Sequence, residues 1–467
     1  MSGLTLHEPQ RPHAISVTSF ITRTSAINRP PVASRLMSLR SVGNHALADI
    51  SGSTSPLLND AAGLEQLLVD ASVSVGATVL TRHSHAFEPQ GVTAVVVLSE
   101  SHVSIHTWPE WGGATIDAYT CGDPDPVHLI EHVIAGLGPS VVRRAVVPRT
   151  IPGGGDEPAF SFAEFITPAD RYEHDLTEVY VQGTSEFQDY LIGQSEAWGR
   201  MLVLDGVVQS TEADEFIYHE GIVHPACYAA ADSAPVRNVL ILGGGEGACL
   251  REALRWRSVE SITMVDIDAE VVAACREHLP NHHLGSFDDP RVTLIHGDAV
   301  AYLAALPDDS FDVIVSDMTD PVENGPSTFC FTVEYFTQLK RILRPHGVLA
   351  VQAGPASPVE IALHAKVIRT IREVFPSVIP YAVDAPCYGR DLGFIIASSE
   401  NLNSRLTVET IREQATNLSG QHRWITPELL VGKMSIPPYL VSAIGARTDV
   451  YADSAPPSTA GAAGWEA

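Results

Sequence analysis

The chain has 467 residues, with 29 Lys and Arg against 56 Asp and Glu, for a formal charge of −27. At roughly 100–200 residues per domain it holds two to four domains, and with 45% hydrophobic and 18% charged residues it is not a disordered chain. No apolar run reaches the ~18 residues of a spanning helix, so no membrane partner is expected; the negative field argues against nucleic acid and for a polycationic small molecule.

Residues 1–42 carry five Arg and one acid, Glu8, among many Ser and Thr. They read as a disordered tail, although such a composition overlaps that of organelle transit peptides. From Gly43 to Arg149 a helix pattern, Asp60 to Val73, is followed by short strand patterns at Ala77–Thr81, Gly91–Leu98, Val103–Thr107 and Ala114–Tyr119. A second helix, Pro126–Leu137, and a strand, Val141–Val147, complete a small α+β sandwich. Turn formers in Ile151–Pro158 mark a hinge, and residues 151–165 are read as a linker.

Short strands over Arg171–Gln209 predict a small β domain, 166–225. From Val236 strand and helix alternate: 239–242, a helix from Gly247, 262–268, a helix to Leu279, 292–298, a helix to Leu306, then 312–317. That rhythm predicts a Rossmann-like doubly wound parallel sheet over 226–449, so the fold class is α/β. Residues 450–467 are Ala, Ser, Gly and Pro-rich and read as a second tail. The six cysteines (Cys121, Cys227, Cys249, Cys275, Cys330, Cys387) form no CxxC pair. They suggest a reducing, cytoplasmic setting without disulfides or a metal site.

Two constellations carry chemistry. The first is Ser99–Glu110 (SESHVSIHTWPE) with Thr120–Gly122, which gathers hydroxyl, imidazole, carboxylate and thiol. No G-x-S-x-G elbow is present, which sets aside a serine hydrolase; taken alone, the cluster also fits polar residues on an ordinary hairpin. Residues 76–126, GATVLTRHSHAFEPQGVTAVVVLSESHVSIHTWPEWGGATIDAYTCGDPDP, resemble the prokaryotic S-adenosylmethionine decarboxylases.

The resemblance implies that Ser101 attacks the carbonyl of Glu100, and that the ester eliminates to dehydroalanine and hydrolyses. The chain would then be cut between Glu100 and Ser101, leaving a self-generated pyruvoyl cofactor. Decarboxylation of an amino acid needs such an electrophilic carbonyl to form an imine and accept electrons, and no side chain offers one. By the same resemblance His106 is the base of the elimination and Cys121 the acid that returns a proton to the substrate carbon. Glu110 would bind the ribose, Phe87 would stack on adenine, and Thr93 would replace a serine that assists processing. Phe87 and Trp108 fit core aromatics equally well, and His102 and His132 are assigned to structure.

The second constellation is Leu240–Gly247 (LILGGGEG), with Asp266 nineteen residues after Gly247. The glycines admit a nucleoside and the strand-end acid suits a ribose diol, which fits methyltransferases and dehydrogenases equally. Asp317–Pro321 (DMTDP) sets two acids beside the same crevice, where a solvated loop is the bland alternative.

Residues 166–440 resemble the spermidine synthase family of aminopropyltransferases in FQDYLI (187–192), MLVLDGVVQSTEADEFIYHE (201–220), LGGGEGACLREAL (242–254), ITMVDID (262–268), LPNHHLGSFDDPR (279–291), DVIVSDMTDP (312–321) and RWITPELL (423–430). The resemblance makes Asp317 the base that deprotonates the acceptor and Asp320 its anchor, with Tyr218 and His219 completing the amine site. Gln188, Glu246, Asp266, Asp298 and Ala299 would hold decarboxylated S-adenosylmethionine, and no metal is implied. A carboxylate at Glu246 attracts the donor's ammonium and repels the extra carboxylate of S-adenosylmethionine.

Departures concern the acceptor. Val322–Pro326, Phe331–Thr332, Gln352–Ala356 and GGGEG in place of GGGDG look like the thermospermine synthase and agmatine-accepting branches. The expectation is a bifunctional enzyme that decarboxylates S-adenosylmethionine and transfers the aminopropyl group to putrescine, giving spermidine and methylthioadenosine. Both families commonly form dimers, so a homo-oligomer is expected. Alternatives are a first domain acting on arginine or ornithine, an acceptor that is agmatine or spermidine, and one half kept as a non-catalytic assembly partner.

Overall fold

A computed structural model describes residues 40–122, 124–151, 160–167, 170–321 and 325–457. These form two compact units, one ending at residue 151 and one starting at residue 160. Most of the expected N-terminal tail, nearly all of the hinge, residues 322–324 of the acceptor departure and the last ten residues lie outside the described residues.

The first unit is an antiparallel six-stranded sheet. Its strands are β1 (Arg40–Ser51), β2 (Thr78–Ala86), β3 (Val92–Ser99), β4 (Ser101–Trp108), β5 (Gly113–Thr120) and β6 (Val141–Ile151), in the order β2-β3-β4-β5-β1-β6. Period-two alternation sets its faces. Val92, Ala94, Val96 and Leu98 of β3 are buried, while Thr93, Val95 and Val97 turn the other way. The buried face packs on α1 (Ala61–Ser74) and α2 (Pro126–Leu137). Both helices start at aspartate caps: Asp60 accepts from Gly63 N at 3.1 Å and Asp125 from Val127 N at 2.8 Å.

The opposite face carries His45, His102, His106, Asp117 and Tyr119. Strand β1 was not foreseen and begins at Arg40, inside the expected tail. It pairs with β5 on one side and β6 on the other.

In the second unit β7 (Phe160–Phe165) pairs with β8 (Arg171–Leu176), so the expected linker ends in a strand. Strands β9 (Glu178–Thr184), β10 (Asp189–Ser195), β11 (Gly199–Leu204) and β12 (Val207–Thr211) form an antiparallel sheet, and α3 (Glu215–Ala231) leads into the main layer. That layer contains β13 (Asn238–Gly243), β14 (Ser261–Asp266), β15 (Val292–His296), β16 (Phe311–Asp317), β17 (Leu343–Pro355), β18 (Ser377–Val383) and β19 (Leu392–Ser398), in the order β15-β14-β13-β16-β17-β19-β18.

Five of these strands are parallel, and β19 runs antiparallel to both β17 and β18. Val239 to Leu242 are fully buried, as strands covered by helices on both faces must be. The expected C-terminal tail starts later than residue 450. Tyr451 is buried, and Asp453 accepts from Thr332 Oγ1 at 2.7 Å.

Candidate functional site

In the first unit, sheet register assembles the first constellation. Ser101 pairs with Leu98 on β3 and with Thr120 on β5, so Cys121 follows directly opposite the serine. The Cys121 N–H donates to Ser101 Oγ at 3.0 Å, and that hydroxyl also contacts the carbonyl oxygen of Glu100. The Ser101 hydroxyl, the Glu100–Ser101 peptide and Cys121 are thus in one place.

Thr93 and His106 pair in register and share a hydrogen bond, Oγ1 to Nδ1, of 2.8 Å. Ser101 and His106 do not meet. Five residues apart on one strand, they have opposite side-chain parity, and His106 stands against Thr93.

Phe87 and Trp108 are 51% and 36% exposed, which sets aside the core alternative for both. Glu110 accepts from Gln90 Nε2 at 3.1 Å. Asp117 accepts from Ser104, from His45 at 3.2 Å and from His102 at 3.1 Å. Burial opposes its charge, yet these partners hold its carboxyl below the usual range. His102 is therefore part of a structural network on the open face.

In the second unit one cleft lies at the carboxyl ends of β13, β14 and β16, where an open α/β sheet places ligands. It is lined by Gln188, Tyr218, Glu246, Asp266, Asp298, Ala299, Asp317 and Asp320, eight of the nine residues expected there. Gly243 makes the approach possible. Its φ is +79°, and a Cβ there would lie 2.1 Å from the carbonyl oxygen of Asp317.

At the end of β14 burial pushes the Asp266 carboxyl up to about 6, against a hydrogen bond from Asp268 N at 2.9 Å. Gln188 is oriented by its Nε2 donating to Asp268 Oδ2 at 3.0 Å. Asp298 caps the helix at Ala299–Ala304, accepting from Val300 N at 2.8 Å. At the end of β16 Asp317 accepts from the Tyr218 hydroxyl and from Cys249 Sγ, the latter at 3.2 Å. Burial raises the Asp317 carboxyl above its usual range. Asp320 is raised by burial too and accepts from Gln352 Nε2 at 2.8 Å.

His219 departs from expectation. It is 1% exposed and stands behind the cleft, outside the lining residues. Its Nε2 lies 2.8 Å from Glu246 Oε1 and its Nδ1 lies 2.9 Å from Glu215 Oε2, which Arg251 holds from the far side at 2.8 Å. Burial alone would lower its pKa, but the two carboxylates raise it to about 10. Burial would likewise neutralise Glu246, and His219 outweighs it, holding the carboxyl below its usual range.

Sequence reasoning gave no role to Cys249, Asp268, Glu215, Arg251, Gln209, Tyr388 or Arg390, although Gln209 and Glu215 belong to the DG-x-x-Q-x-x-E-x-D-E-F run (205–216). The first four support named site residues. Gln209, Tyr388 and Arg390 line the cleft toward Asp320, and Arg390 is bound to Glu360 at 2.7 Å and to Glu164 at 3.6 Å. The charged pairs in EF-I-YHE and LREAL were the available signal for Glu215 and Arg251.

A cleft with a buried carboxyl held by a hydroxyl and a thiol, and with further acids along it, suits the binding of cations. Comparisons with known proteins agree. Residues 215–407 match the family model of the spermine/spermidine synthase domain, residues 161–212 that of the spermidine synthase tetramerisation domain, and residues 44–150 that of S-adenosylmethionine decarboxylase.

A polyamine aminopropyltransferase of Synechococcus sp. (strain JA-2-3B'a(2-13)) is 45% identical over 303 residues, 64% of this chain and 97% of that protein. One from Aeropyrum pernix is 42% identical over 252 residues, 53% of this chain and 79% of that protein. The crystal structure of spermidine synthase from Thermotoga maritima aligns with a TM-score of 0.56 at 26% identity, covering 62% of this chain and 95% of that one. A spermidine synthase in complex with the transition state analogue AdoDATO gives 0.57 at 26% identity, covering 62% and 96%.

Proposed function

The chain belongs to the polyamine aminopropyltransferase family and carries an S-adenosylmethionine decarboxylase domain, and from that premise we propose how the residues of this bifunctional polyamine-biosynthesis enzyme divide its two reactions. The observation that carries the transfer step is Asp317, buried in a carboxylate-lined cleft and held by Tyr218 and Cys249. An ammonium is not a nucleophile, so Asp317 takes a proton from the acceptor. The freed nitrogen attacks the carbon beside the sulfonium, the C–S bond breaks toward sulfur, and neutral methylthioadenosine leaves. Gln188, Asp266, Asp298 and Ala299 hold the adenosyl part of the donor, Glu246 its ammonium, and Asp320 the acceptor's remote ammonium.

Putrescine is the proposed acceptor. Near Asp320 the carboxylates of Glu360 and Glu164 are engaged by Arg390 and offer no separate anchor for a third ammonium, which favours a short diamine over spermidine.

In the first unit Ser101 Oγ touches the Glu100 carbonyl oxygen and accepts the Cys121 N–H, which fits self-processing at Glu100–Ser101. A pyruvoyl group formed there would supply the electrophilic carbonyl that accepts the electron pair of the broken carbon–carboxylate bond. Cys121 returns the proton to the substrate carbon, while Phe87 and Glu110 bind its nucleoside. His106, bonded to Thr93, is the base assigned to processing. Among the described residues no single helix is long and apolar enough to cross a membrane. A cytoplasmic homo-oligomer is proposed from the free cysteines and the match to a tetramerisation domain.

The test is intact mass together with product analysis. Wild type is expected as two fragments that release carbon dioxide from S-adenosylmethionine and make spermidine when putrescine is added. Ser101→Ala stays in one piece and releases none. Asp317→Asn releases carbon dioxide but makes no spermidine. Carbon dioxide only from arginine or ornithine, or product only with agmatine or spermidine, would replace the substrate assigned here.

A further inference from the structure

We propose that His219 is a permanent buried imidazolium, the internal counter-ion of Glu246 and Asp317, and thus a positioning residue that never touches the acceptor; the proposal rests on the transferase reading above.

The argument begins with protons. Both ring nitrogens face carboxylate oxygens, Nδ1 at 2.9 Å from Glu215 and Nε2 at 2.8 Å from Glu246. Nδ1 also lies 2.8 Å from the Glu215 carbonyl oxygen. A neutral imidazole carries one hydrogen and would set its other lone pair against a carboxylate's; only the cation satisfies both sides. The ring is 1% exposed, so no water can take the place of either partner.

Behind it the charges alternate, with Arg251 on α4 (Ala248–Leu254) donating to both oxygens of Glu215, at 3.0 and 2.8 Å. The series Arg251, Glu215, His219, Glu246 is neutral overall and ends at the cleft wall. On the cleft side one ring nitrogen of His219, Cys249 Sγ and one Asp317 oxygen lie within 4.8 Å of one another. The same cation therefore opposes the burial that would protonate Asp317.

The other charged or titratable groups facing this cluster are Tyr218, bonded to Asp317; Asp266 and Tyr388, which share the cleft with Glu246 and Asp317; Cys275, toward Glu246; Glu252, bound to Arg251 at 2.9 Å; Arg423, 4.0 Å from Glu215; and His282. Burial holds His282 below its usual range, and both its ring nitrogens are unpartnered. His282 is neutral and cannot replace the charge of His219. A cationic acceptor gains nothing from contact with an imidazolium, which is the physical reason for removing His219 from the amine site.

His219→Gln keeps an N–H for Glu246 and removes the charge. A cation within about 4–6 Å shifts a carboxylate by about 1–3 pH units. The acid limb of the transfer-rate profile, measured with decarboxylated S-adenosylmethionine and putrescine, is therefore expected to move up by about one unit or more. The putrescine KM on the alkaline plateau should change less than threefold. An unmoved limb with a putrescine KM raised tenfold would overturn the proposal in favour of direct acceptor contact.

Wild-type enzyme with isotope-labelled histidine provides a test independent of folding of the variant. The ¹⁵N shifts of His219 should show both nitrogens protonated at pH 8, and a neutral tautomer there would refute it. Wild type unable to transfer an aminopropyl group would instead defeat the transferase reading, leaving the nitrogen shifts to decide the charge of His219.

Discussion

Glu246→Gln tests the donor site most directly. The substitution keeps the shape of a side chain that lines the cleft and removes its charge. One carboxylate oxygen is already engaged by His219 at 2.8 Å, so the donor ammonium meets the other, in one charge-assisted hydrogen bond. Such a bond contributes about 1.5–3 kcal/mol net, or roughly 10–150-fold in kcat/KM at about 1.4 kcal/mol per tenfold. The ceiling is a bare ion pair at about 4 Å with an effective dielectric near 20, about 4 kcal/mol or roughly a thousandfold.

The same change removes a repulsion from S-adenosylmethionine, whose inhibition of transfer should tighten about tenfold. Steady-state transfer with decarboxylated S-adenosylmethionine as varied substrate and S-adenosylmethionine as inhibitor measures both effects. A loss under threefold with unchanged inhibition would refute the assignment of Glu246 as the selector of the donor.

Two further predictions concern the far end of the cleft. Burial raises Glu164 to about 7 despite the Val208 N–H and Arg390, so in the folded chain it binds a proton that the unfolded chain, at its ordinary value of 4.5, has released. Its contribution is present below about pH 4.5 and lost as pH rises through about 7. Melts from pH 5 to 8 should show wild type losing up to roughly 3 kcal/mol relative to Glu164→Gln; a difference independent of pH would refute this. Arg390→Gln should raise turnover of spermidine relative to putrescine by about tenfold, the effect of about 1.4 kcal/mol from the carboxylate it frees. An unchanged acceptor ratio in a mixed-acceptor assay would show that Arg390 does not limit acceptor length.

Much of the site was legible because its parts sit next to one another in sequence. Ser101 and Cys121 flank a hairpin whose register any antiparallel pairing would close, and the glycine run with Asp266 and Asp317 marks the ends of adjacent parallel strands. Phe87 shows the limit of such reading: aromatic character left burial and exposure open, and the structure exposes half of it. Cys249 lies in the LGGGEGACLREAL stretch without a role of its own there, and its hydrogen bond to Asp317 joins residues 68 positions apart.

Local pattern therefore determined most of the strands and helices, which depend on periodicity, and the resemblance of contiguous motifs to two families implied Asp317, Asp320 and the two chemistries. Tertiary structure decided the rest. Strand β1 starts three residues inside the expected tail and is a strand only because β5 and β6 complete its hydrogen bonds, and Tyr451 looks like tail until a core receives it. Tyr218 and His219 are neighbours in one motif, yet successive residues of a helix point about 100° apart. One side chain therefore reaches Asp317 across the cleft, while the other turns away to meet Glu215 and Glu246, and only packing assigns which is which.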